Sequence, residues 1–192
     1  MIVQDLIERG YSIQENFLST AEVQLLSDEI NTLFESGAFQ SASIGNKTKT
    51  VHDHSIRSDK TYWLNSQLLT SAQQILFTAL EKIRLECNEQ MLLGLFDFEG
   101  HYSIFSKDSL YQKHFDSFKD SDLRVLSVVM YFNQDWKDGD GGELLLHSQI
   151  DLKVKPLAGT LVLFLSHDIE HEVLTSCITR RSFSGWFKKR PL

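Results

Sequence analysis

Two histidines and one aspartate have the residue types and spacing of a metal-binding triad. His114 and Asp116 flank a single residue in a segment with the pattern of a β-strand, and side chains two apart in a strand point to the same side. His171, on a second strand-like segment, would complete two imidazoles and one carboxylate on one face of a metal ion. Such a triad leaves coordination positions open and suits non-heme Fe(II). These residues therefore predict an oxygenase.

Two adjacent arginines follow the last histidine, and either could bind the far carboxylate of a 2-oxo acid through a bidentate fork. In a strand, Arg181 would share its face with two phenylalanines. Arg180 would share its face with small polar residues and one tryptophan, namely Ser182, Ser184 and Trp186. A small polar face suits a wet active site, so we select Arg180 and keep Arg181 as the alternative.

The other histidines are weaker candidates for metal ligands. His52 and His54 share strand spacing, but they lie in a polar segment without an obvious carboxylate partner. A helical zinc motif that ends at His171 is disfavoured, because its second residue is Asp instead of Glu and a strongly β-forming run precedes it. His101 and His147 have the character of ordinary polar residues.

Composition and charge exclude several classes of protein. The 192 residues are 42% hydrophobic and 23% charged, which is ordinary for a soluble globular protein. The net charge of −7 argues against a nucleic-acid binder, which needs a basic footprint. Two cysteines and an N-terminus without a basic leader region predict a reducing, cytoplasmic location. No apolar run approaches the roughly 18 residues of a membrane helix, so we expect no membrane partner.

Helical patterns occupy the first half of the chain. Ser19 and Glu22 form a capping box, and apolar residues at helical spacing follow as far as Gly37, which is placed as a C-terminal cap. A second helix is predicted from about Asn65 to about Asn88. The intervening polar stretch has no helical period and predicts short strands and a mobile loop at about 40–60.

Strand patterns occupy the second half, as short apolar segments separated by turn signals. Several such strands predict a β-sandwich or jelly roll, and the fold class is therefore α+β and mainly β. We expect a single domain over 1–192, with helical support and the mobile loop in 1–90 and the enzyme core in 91–190. The helices would buttress one face of the β core.

Five motifs occur in an order that resembles a known enzyme family. They are the His-x-Asp triplet, Ile56–Trp63 (IRSDKTYW), Tyr131–Trp136 (YFNQDW), Gly141–Leu144 (GGEL) and the closing segment His171–Phe187. Together they resemble the 2-oxoglutarate/Fe(II) dioxygenases, and within them the prolyl-4-hydroxylases. The similarity is greatest to the prolyl-hydroxylase-domain enzymes, which include the animal oxygen sensors and their bacterial relatives. It covers roughly residues 50 to 187.

The resemblance implies a double-stranded β-helix that holds Fe(II) through His114, Asp116 and His171. It implies 2-oxoglutarate, O2 and ascorbate as further cofactors. The residues expected to bind 2-oxoglutarate are Arg180, Tyr131, Tyr111 and Ser184. One departure concerns a tyrosine that relatives use for this co-substrate, because Phe105 stands in its place.

The resemblance also implies the reaction and the partner. The expected reaction is hydroxylation of a prolyl residue at C4 in a protein loop, with formation of succinate and CO2, and the presence of Asp116 favours hydroxylation over halogenation. A translation factor is the suggested target. The residues expected near the substrate are Arg124, Arg57, Asp59 and Trp186. The alternative is that the three charged residues form surface ion pairs and that the tryptophan is a residue of the hydrophobic core.

Three alternatives remain open at this point. The same iron chemistry could act on a small molecule or on another side chain. The chain could instead be a non-enzymatic, metal-binding β-sandwich module. A nucleic-acid demethylase is disfavoured by the negative net charge.

Overall fold

The structure is a computed structural model that describes residues 1–43, 53–117 and 123–191. These residues contain three helices, α1 (Ile2–Arg9), α2 (Thr20–Glu35) and α3 (Ser71–Met91). The strands are β1 (Tyr11–Gln14), β2 (Gln40–Ser41), β3 (Lys60–Trp63), β4 (Asp97–Phe105), β5 (Tyr111–His114), β6 (Arg124–Tyr131), β7 (Leu144–His147), β8 (Leu152–Val154), β9 (Leu161–Leu165), β10 (Glu170–Val173) and β11 (Arg180–Lys188).

Side-chain caps determine where the two long helices begin. Ser19 caps α2 as predicted, because its hydroxyl accepts a hydrogen bond from the Glu22 backbone and the Glu22 carboxylate accepts one from the Ser19 backbone. The predicted start of α3 near Asn65 is wrong. A second capping box between Thr70 and Gln73 starts α3 at Ser71. The sequence patterns did not predict α1 and β1.

The strands form two antiparallel sheets. The larger has seven strands in the order β1-β9-β6-β11-β4-β3-β2, and the smaller has four in the order β5-β10-β7-β8. Residues from the inner faces of both sheets, such as Val129 and Leu146, belong to one buried apolar cluster, so the sheets pack face to face. This arrangement confirms the prediction of a mainly β jelly roll.

Alternation along the central strands separates a helix-facing surface from a cavity-facing surface. Tyr102 and Ile104 on β4, with Phe183 and Phe187 on β11, join the apolar residues of the helices in a second buried cluster. The residues between them face the smaller sheet. The N-terminal helices therefore support the outer face of the larger sheet, as expected.

Part of one prediction falls outside the described residues, and another stays untested. The mobile loop predicted at about 40–60 includes residues 44–52, and with them His52, which are outside the described residues. The division into support (1–90) and core (91–190) stays a prediction. None of the helices in the described ranges has the length and hydropathy that crossing a membrane requires.

Candidate metal centre and co-substrate cavity

Strand pairing and a bend bring the predicted triad together. His114 at the end of β5 lies opposite His171 on β10, and one potential ligand atom from each of His114, Asp116 and His171 lies within 4.8 Å of the others. The Asp116 carboxylate oxygens are 3.7 Å from His114 Nε2 and 3.6 Å from His171 Nε2. The expectation that the triplet lies within one strand is wrong, because β5 ends at His114 and Asp116 follows in a bend.

The protonation states of Asp116 and His171 fit a metal ion. Burial opposes ionisation of Asp116, but the neighbouring imidazoles outweigh it and hold the pKa of this carboxyl well below its usual range. Burial lowers the pKa of His171 to about 4, against the opposing effect of Asp116. A metal ion needs an ionised carboxylate and a neutral imidazole, and both are present at neutral pH.

The backbone around the two histidines orients their rings. Nδ1 of His114 lies 2.7 Å from the Gln112 carbonyl oxygen, and Nδ1 of His171 lies 3.3 Å from that of Ile169. When Nδ1 carries the proton and donates to these carbonyls, Nε2 of each ring has a lone pair directed to the metal side. Two such nitrogens and one carboxylate are the donor set of non-heme Fe(II) sites, so these residues fit the implied metal.

A cavity of about 140 Å³ adjoins the triad and contains a buried cation. Arg180 on β11 lines it and is 1% exposed. Its Nη1 donates a hydrogen bond to Ser182 Oγ over 3.0 Å. Its Nε has no hydrogen-bond partner among the described residues, and neither has the buried hydroxyl of Tyr131. A buried guanidinium Nε–H and a buried phenol hydroxyl without hydrogen-bond partners carry an energetic cost, so this end of the cavity is suited to an anion.

Phe105 and Gly142 shape the surroundings of Arg180. The guanidinium carbon lies 4.8 Å from the Phe105 ring centroid and 5.0 Å from that of Tyr131. Gly142 has a φ of +75°, and a Cβ there would lie 2.9 Å from Arg180 Cδ and 2.9 Å from Ser176 Oγ. Glycine is therefore needed in this turn both for its backbone conformation and for its approach to the arginine.

The two candidate arginines lie on opposite sides of β11. Arg181 Nε donates to Asn31 Oδ1 on α2 over 2.7 Å, and its backbone N–H donates to Asn133 Oδ1 over 2.7 Å. It therefore joins the sheet to a helix, whereas Arg180 lines the cavity.

Tyr111 and Ser184 also line the cavity, but they lie in different surroundings. The Tyr111 ring stacks on His114 with centroids 3.6 Å apart, and the Arg57 guanidinium carbon lies 4.6 Å from its centroid. Tyr111 therefore supports a triad residue directly. Ser184 lies on the same face of β11 as Arg180.

Three of the four residues expected near the substrate form another side of the cavity. Arg124 donates from Nε and Nη2 to Glu99 Oε1 over 3.0 and 2.8 Å, and its guanidinium carbon lies 3.7 Å from the centroid of the Trp186 ring. Arg57 donates to both carboxylate oxygens of Asp59 over 2.7 and 3.0 Å. Arg57, Arg124 and Trp186 line the cavity, whereas Asp59 is 1% exposed and lies behind Arg57.

Two aromatic side chains that line the cavity were not predicted as site residues. His101 is not an ordinary polar residue, because it is 1% exposed and lines the cavity. Its ring centroid lies 4.8 Å from that of Trp63, which also lines the cavity. Strand alternation back from Phe105 would have placed His101 on the inner face. His147, by contrast, contacts Asp151 and Glu172.

The buried pair of Arg57 and Asp59 gives a first prediction. Asp59→Asn leaves the guanidinium without its counter-charge, so we expect the free energy of unfolding to fall by about 3 kcal/mol. Urea denaturation measures it. In the double variant Arg57→Met/Asp59→Asn no charge is left unpaired, and most of the loss should be recovered. Equal destabilisation in the two variants would contradict this account.

The same pair predicts a pH dependence. Burial raises the pKa of Asp59, but the Arg57 guanidinium outweighs it and the pKa is lowered overall. A carboxyl whose pKa is lowered on folding stabilises above its unfolded pKa of about 3.9 and loses that contribution as the pH falls through the folded value. The stability difference between wild type and Asp59→Asn should therefore be constant at neutral pH and shrink below about pH 4.

Comparison with known proteins agrees with this geometry. A family model described as the 2OG-Fe(II) oxygenase superfamily matches residues 100–188. The crystal structure of a Pseudomonas putida prolyl-4-hydroxylase superposes with a TM-score of 0.89 at 33% sequence identity, covering 99% of this chain and 98% of that one. The chain belongs to the 2OG-Fe(II) oxygenase superfamily. The resemblance read from the five motifs is thereby confirmed.

Within the 2OG-Fe(II) oxygenases, the chain is similar to prolyl hydroxylases. A Trichoplax adhaerens prolyl hydroxylase, solved with a hypoxia-inducible factor peptide, superposes with a TM-score of 0.89 at 23% identity over 98% of this chain and 88% of that one. The hypoxia-inducible factor prolyl hydroxylase of Caenorhabditis elegans is 25% identical over 97% of this chain, but the match spans 27% of that protein. For human Egl nine homolog 1 the match is 23% identical and spans 45%.

Proposed function

We propose that this protein is an Fe(II)- and 2-oxoglutarate-dependent dioxygenase that hydroxylates a prolyl residue of a protein at C4, with formation of succinate and CO2. One observation carries the proposal. The triad of His114, Asp116 and His171 lines the same cavity as Arg180. At that arginine, two buried donors have no partner among the described residues, namely Arg180 Nε and the hydroxyl of the adjoining Tyr131. Similarity to prolyl hydroxylases supports the prolyl substrate.

The triad would hold the iron. Asp116 supplies the negative charge, and the two imidazoles supply Nε2 lone pairs whose directions the backbone carbonyls determine. Bound Fe(II), with 2-oxoglutarate and O2, supplies the oxidising chemistry that places one oxygen atom on the substrate.

Arg180 and Tyr131 would bind the far carboxylate of 2-oxoglutarate. The Arg180 guanidinium remains charged although burial lowers its pKa, and burial raises the pKa of Tyr131, which therefore stays a hydrogen-bond donor. A charged guanidinium and a phenol pointing at one carboxylate give strong, charge-assisted hydrogen bonds. Ser184 would line the co-substrate pocket, and Tyr111 would keep His114 in place while closing the pocket wall.

Arg57, Asp59, Arg124 and Trp186 would contact or organise the prolyl substrate. Trp186 offers an apolar ring held by the Arg124 guanidinium. Asp59 would act through Arg57, whose side chain it orients. The two arginines have carboxylate partners in Asp59 and Glu99, so the ring face is a better candidate than the charges for binding a proline.

The remaining parts of the proposal concern partners and location. We propose a translation factor as the protein substrate, on the resemblance to bacterial relatives, and ascorbate as the reductant that keeps the iron ferrous. We propose a cytoplasmic location, because both cysteines are free thiols and Cys177 is exposed, which suits a reducing compartment. We also propose that 1–192 works as a single domain.

The deciding experiment is mass spectrometry of the host proteome with and without the enzyme. Alternatively, a host lysate is measured before and after treatment with Fe(II), 2-oxoglutarate and the enzyme. Wild-type enzyme should add the mass of one oxygen atom to a proline, with succinate formed in equal amount. The Asp116→Ala variant is the control. Oxidation of a small molecule or of another side chain, with no change on proline, would favour that alternative. Metal binding without 2-oxoglutarate turnover would favour the non-enzymatic module.

Phe105→Tyr is predicted to tighten co-substrate binding. The Phe105 ring lies against the Arg180 guanidinium, where relatives of the resembled family carry a tyrosine hydroxyl. An added hydroxyl that reaches the same carboxylate contributes about 1 kcal/mol, so the KM for 2-oxoglutarate should fall about fivefold. Phe105→Leu serves as a control without a hydroxyl. A higher KM in Phe105→Tyr would indicate that the cavity has no room for the added oxygen.

A further inference from the structure

His101 is a buried, neutral hydrogen-bonding side chain without a role in the proposed reaction. It lies on the inner face of β4, is 1% exposed and lines the same cavity as the triad. Its ring contacts two tryptophans that also contact each other, with centroid distances of 4.8 Å to Trp63 and 5.5 Å to Trp186. A polar ring in such a position is costly to bury unless both nitrogens have partners.

One nitrogen of His101 has a partner in the protein. Nδ1 lies 3.0 Å from Ser103 Oγ and 3.3 Å from the Tyr102 carbonyl oxygen. The contact with Ser103 is the shorter of the two, and when this hydroxyl donates to Nδ1 it uses the lone pair of that nitrogen. The ring proton is then on Nε2, which has no hydrogen-bond partner in the described part of the chain.

The charge of the ring determines what kind of group Nε2 can bind. Burial, with help from the Arg57 and Arg124 guanidinium groups and against the attraction of Asp59, lowers the pKa of His101 to about 3. The imidazole is therefore neutral, and Nε2–H is a neutral donor beside the Trp186 ring. A neutral carbonyl oxygen is the matching acceptor, because a charged ligand group would be buried without a counter-charge.

A prolyl substrate brings one such acceptor next to its ring. The nitrogen of proline carries no hydrogen, and it is bonded to the carbonyl carbon of the preceding residue. We propose that His101 is a specificity-determining residue whose Nε2–H donates a hydrogen bond to the carbonyl oxygen of the residue before the target proline. This inference rests on the proposed prolyl hydroxylation.

The test uses two nearly isosteric replacements, His101→Met and His101→Gln, of which only the second keeps a donor. The substrate is the peptide most efficiently hydroxylated by the wild type among those found in the proteome experiment. We expect the KM for the peptide to rise about tenfold in His101→Met and about threefold in His101→Gln. The KM for 2-oxoglutarate should stay within about twofold.

A modified peptide locates the acceptor. Replacing the carbonyl before the proline with a thioamide, a weaker acceptor, should raise the KM several-fold for the wild type and have little effect on His101→Met, because the two changes remove the same hydrogen bond. If His101→Met fails to fold, Ser103→Ala replaces it. This change removes the hydrogen bond to Nδ1 that keeps the ring proton on Nε2, and it should raise the peptide KM about threefold.

The outcomes separate this inference from the proposed function. If the wild type hydroxylates no peptide, both are overturned. If the wild type does hydroxylate a peptide, the peptide KM of the variants decides the role of His101. An unchanged KM in His101→Met and His101→Gln overturns only that role, and so does an unchanged KM in Ser103→Ala where that variant is used instead. A rise in the KM for 2-oxoglutarate alone would also overturn it, because His101 would then act on the co-substrate.

Discussion

Asp116→Ala is expected to abolish Fe(II) binding and turnover of 2-oxoglutarate. The aspartate is the negatively charged member of the triad, and it lies within 3.7 Å of both ring nitrogens. Without it, two neutral imidazoles remain, which hold a divalent ion far more weakly. Since even changes behind metal ligands cost 10–100-fold in affinity, we expect a loss of more than about a hundredfold. Isothermal titration with Mn(II), as a redox-stable substitute for Fe(II), measures it.

Thermal unfolding provides an independent measurement of the same loss. A ligand that binds the folded state at about a hundred times its Kd stabilises it by about 2.7 kcal/mol. Metal should therefore raise the Tm of the wild type and leave that of Asp116→Ala unchanged. Asp138→Ala is the matched control, because Asp138 is an exposed carboxylate paired with Lys155. Near-normal metal binding by Asp116→Ala would remove Asp116 from the ligand set.

Arg180→Ala is expected to raise the KM for 2-oxoglutarate by about a hundredfold. Removing one partner of a buried, charge-assisted hydrogen bond costs roughly 3 kcal/mol, which corresponds to about a hundredfold in affinity. The variant also leaves the Tyr131 hydroxyl as the remaining donor at that end of the cavity. The KM for 2-oxoglutarate in the uncoupled reaction, or the Kd of an unreactive analogue, measures the change.

Arg181→Ala is the matched control for this prediction. Its side chain donates to Asn31 on the helix side of the sheet, so we expect a small loss of stability, about 1 kcal/mol, and a KM for 2-oxoglutarate within about twofold of the wild type. Both variants remove an arginine from β11, but Arg180→Ala removes it from the cavity face and Arg181→Ala from the helix face. The opposite ranking of the two KM values would transfer the proposed co-substrate role to Arg181.

Local patterns were sufficient for several features of this protein. Period-two alternation along β11 separated Arg180 from Arg181, because a strand keeps its two faces distinct over its whole length. The Ser19–Glu22 capping box located the start of α2, since its two hydrogen bonds are local in sequence. The start of α3 was missed because the apolar spacing extended past the cap at Thr70.

Other features depend on contacts between distant segments. The convergence of Asp116 on His171 requires the pairing of β5 with β10 and a bend after His114. The burial of Asp59, and the position of His101 beside Trp63 and Trp186, follow from the pairing of β3 with β4 and of β4 with β11. No local periodicity encodes these neighbours.

The amino-acid sequence by itself determined which chemical groups the protein has: two imidazoles, a carboxylate and a guanidinium, in strand-forming segments and in an order resembling an oxygenase family. Only the tertiary structure decided which groups share the cavity, which lie behind it, and which buried donors are left for a ligand. The physical reason is that residue type and backbone periodicity are local properties. Burial, pKa and hydrogen-bond satisfaction depend on whatever the fold places a few ångströms away.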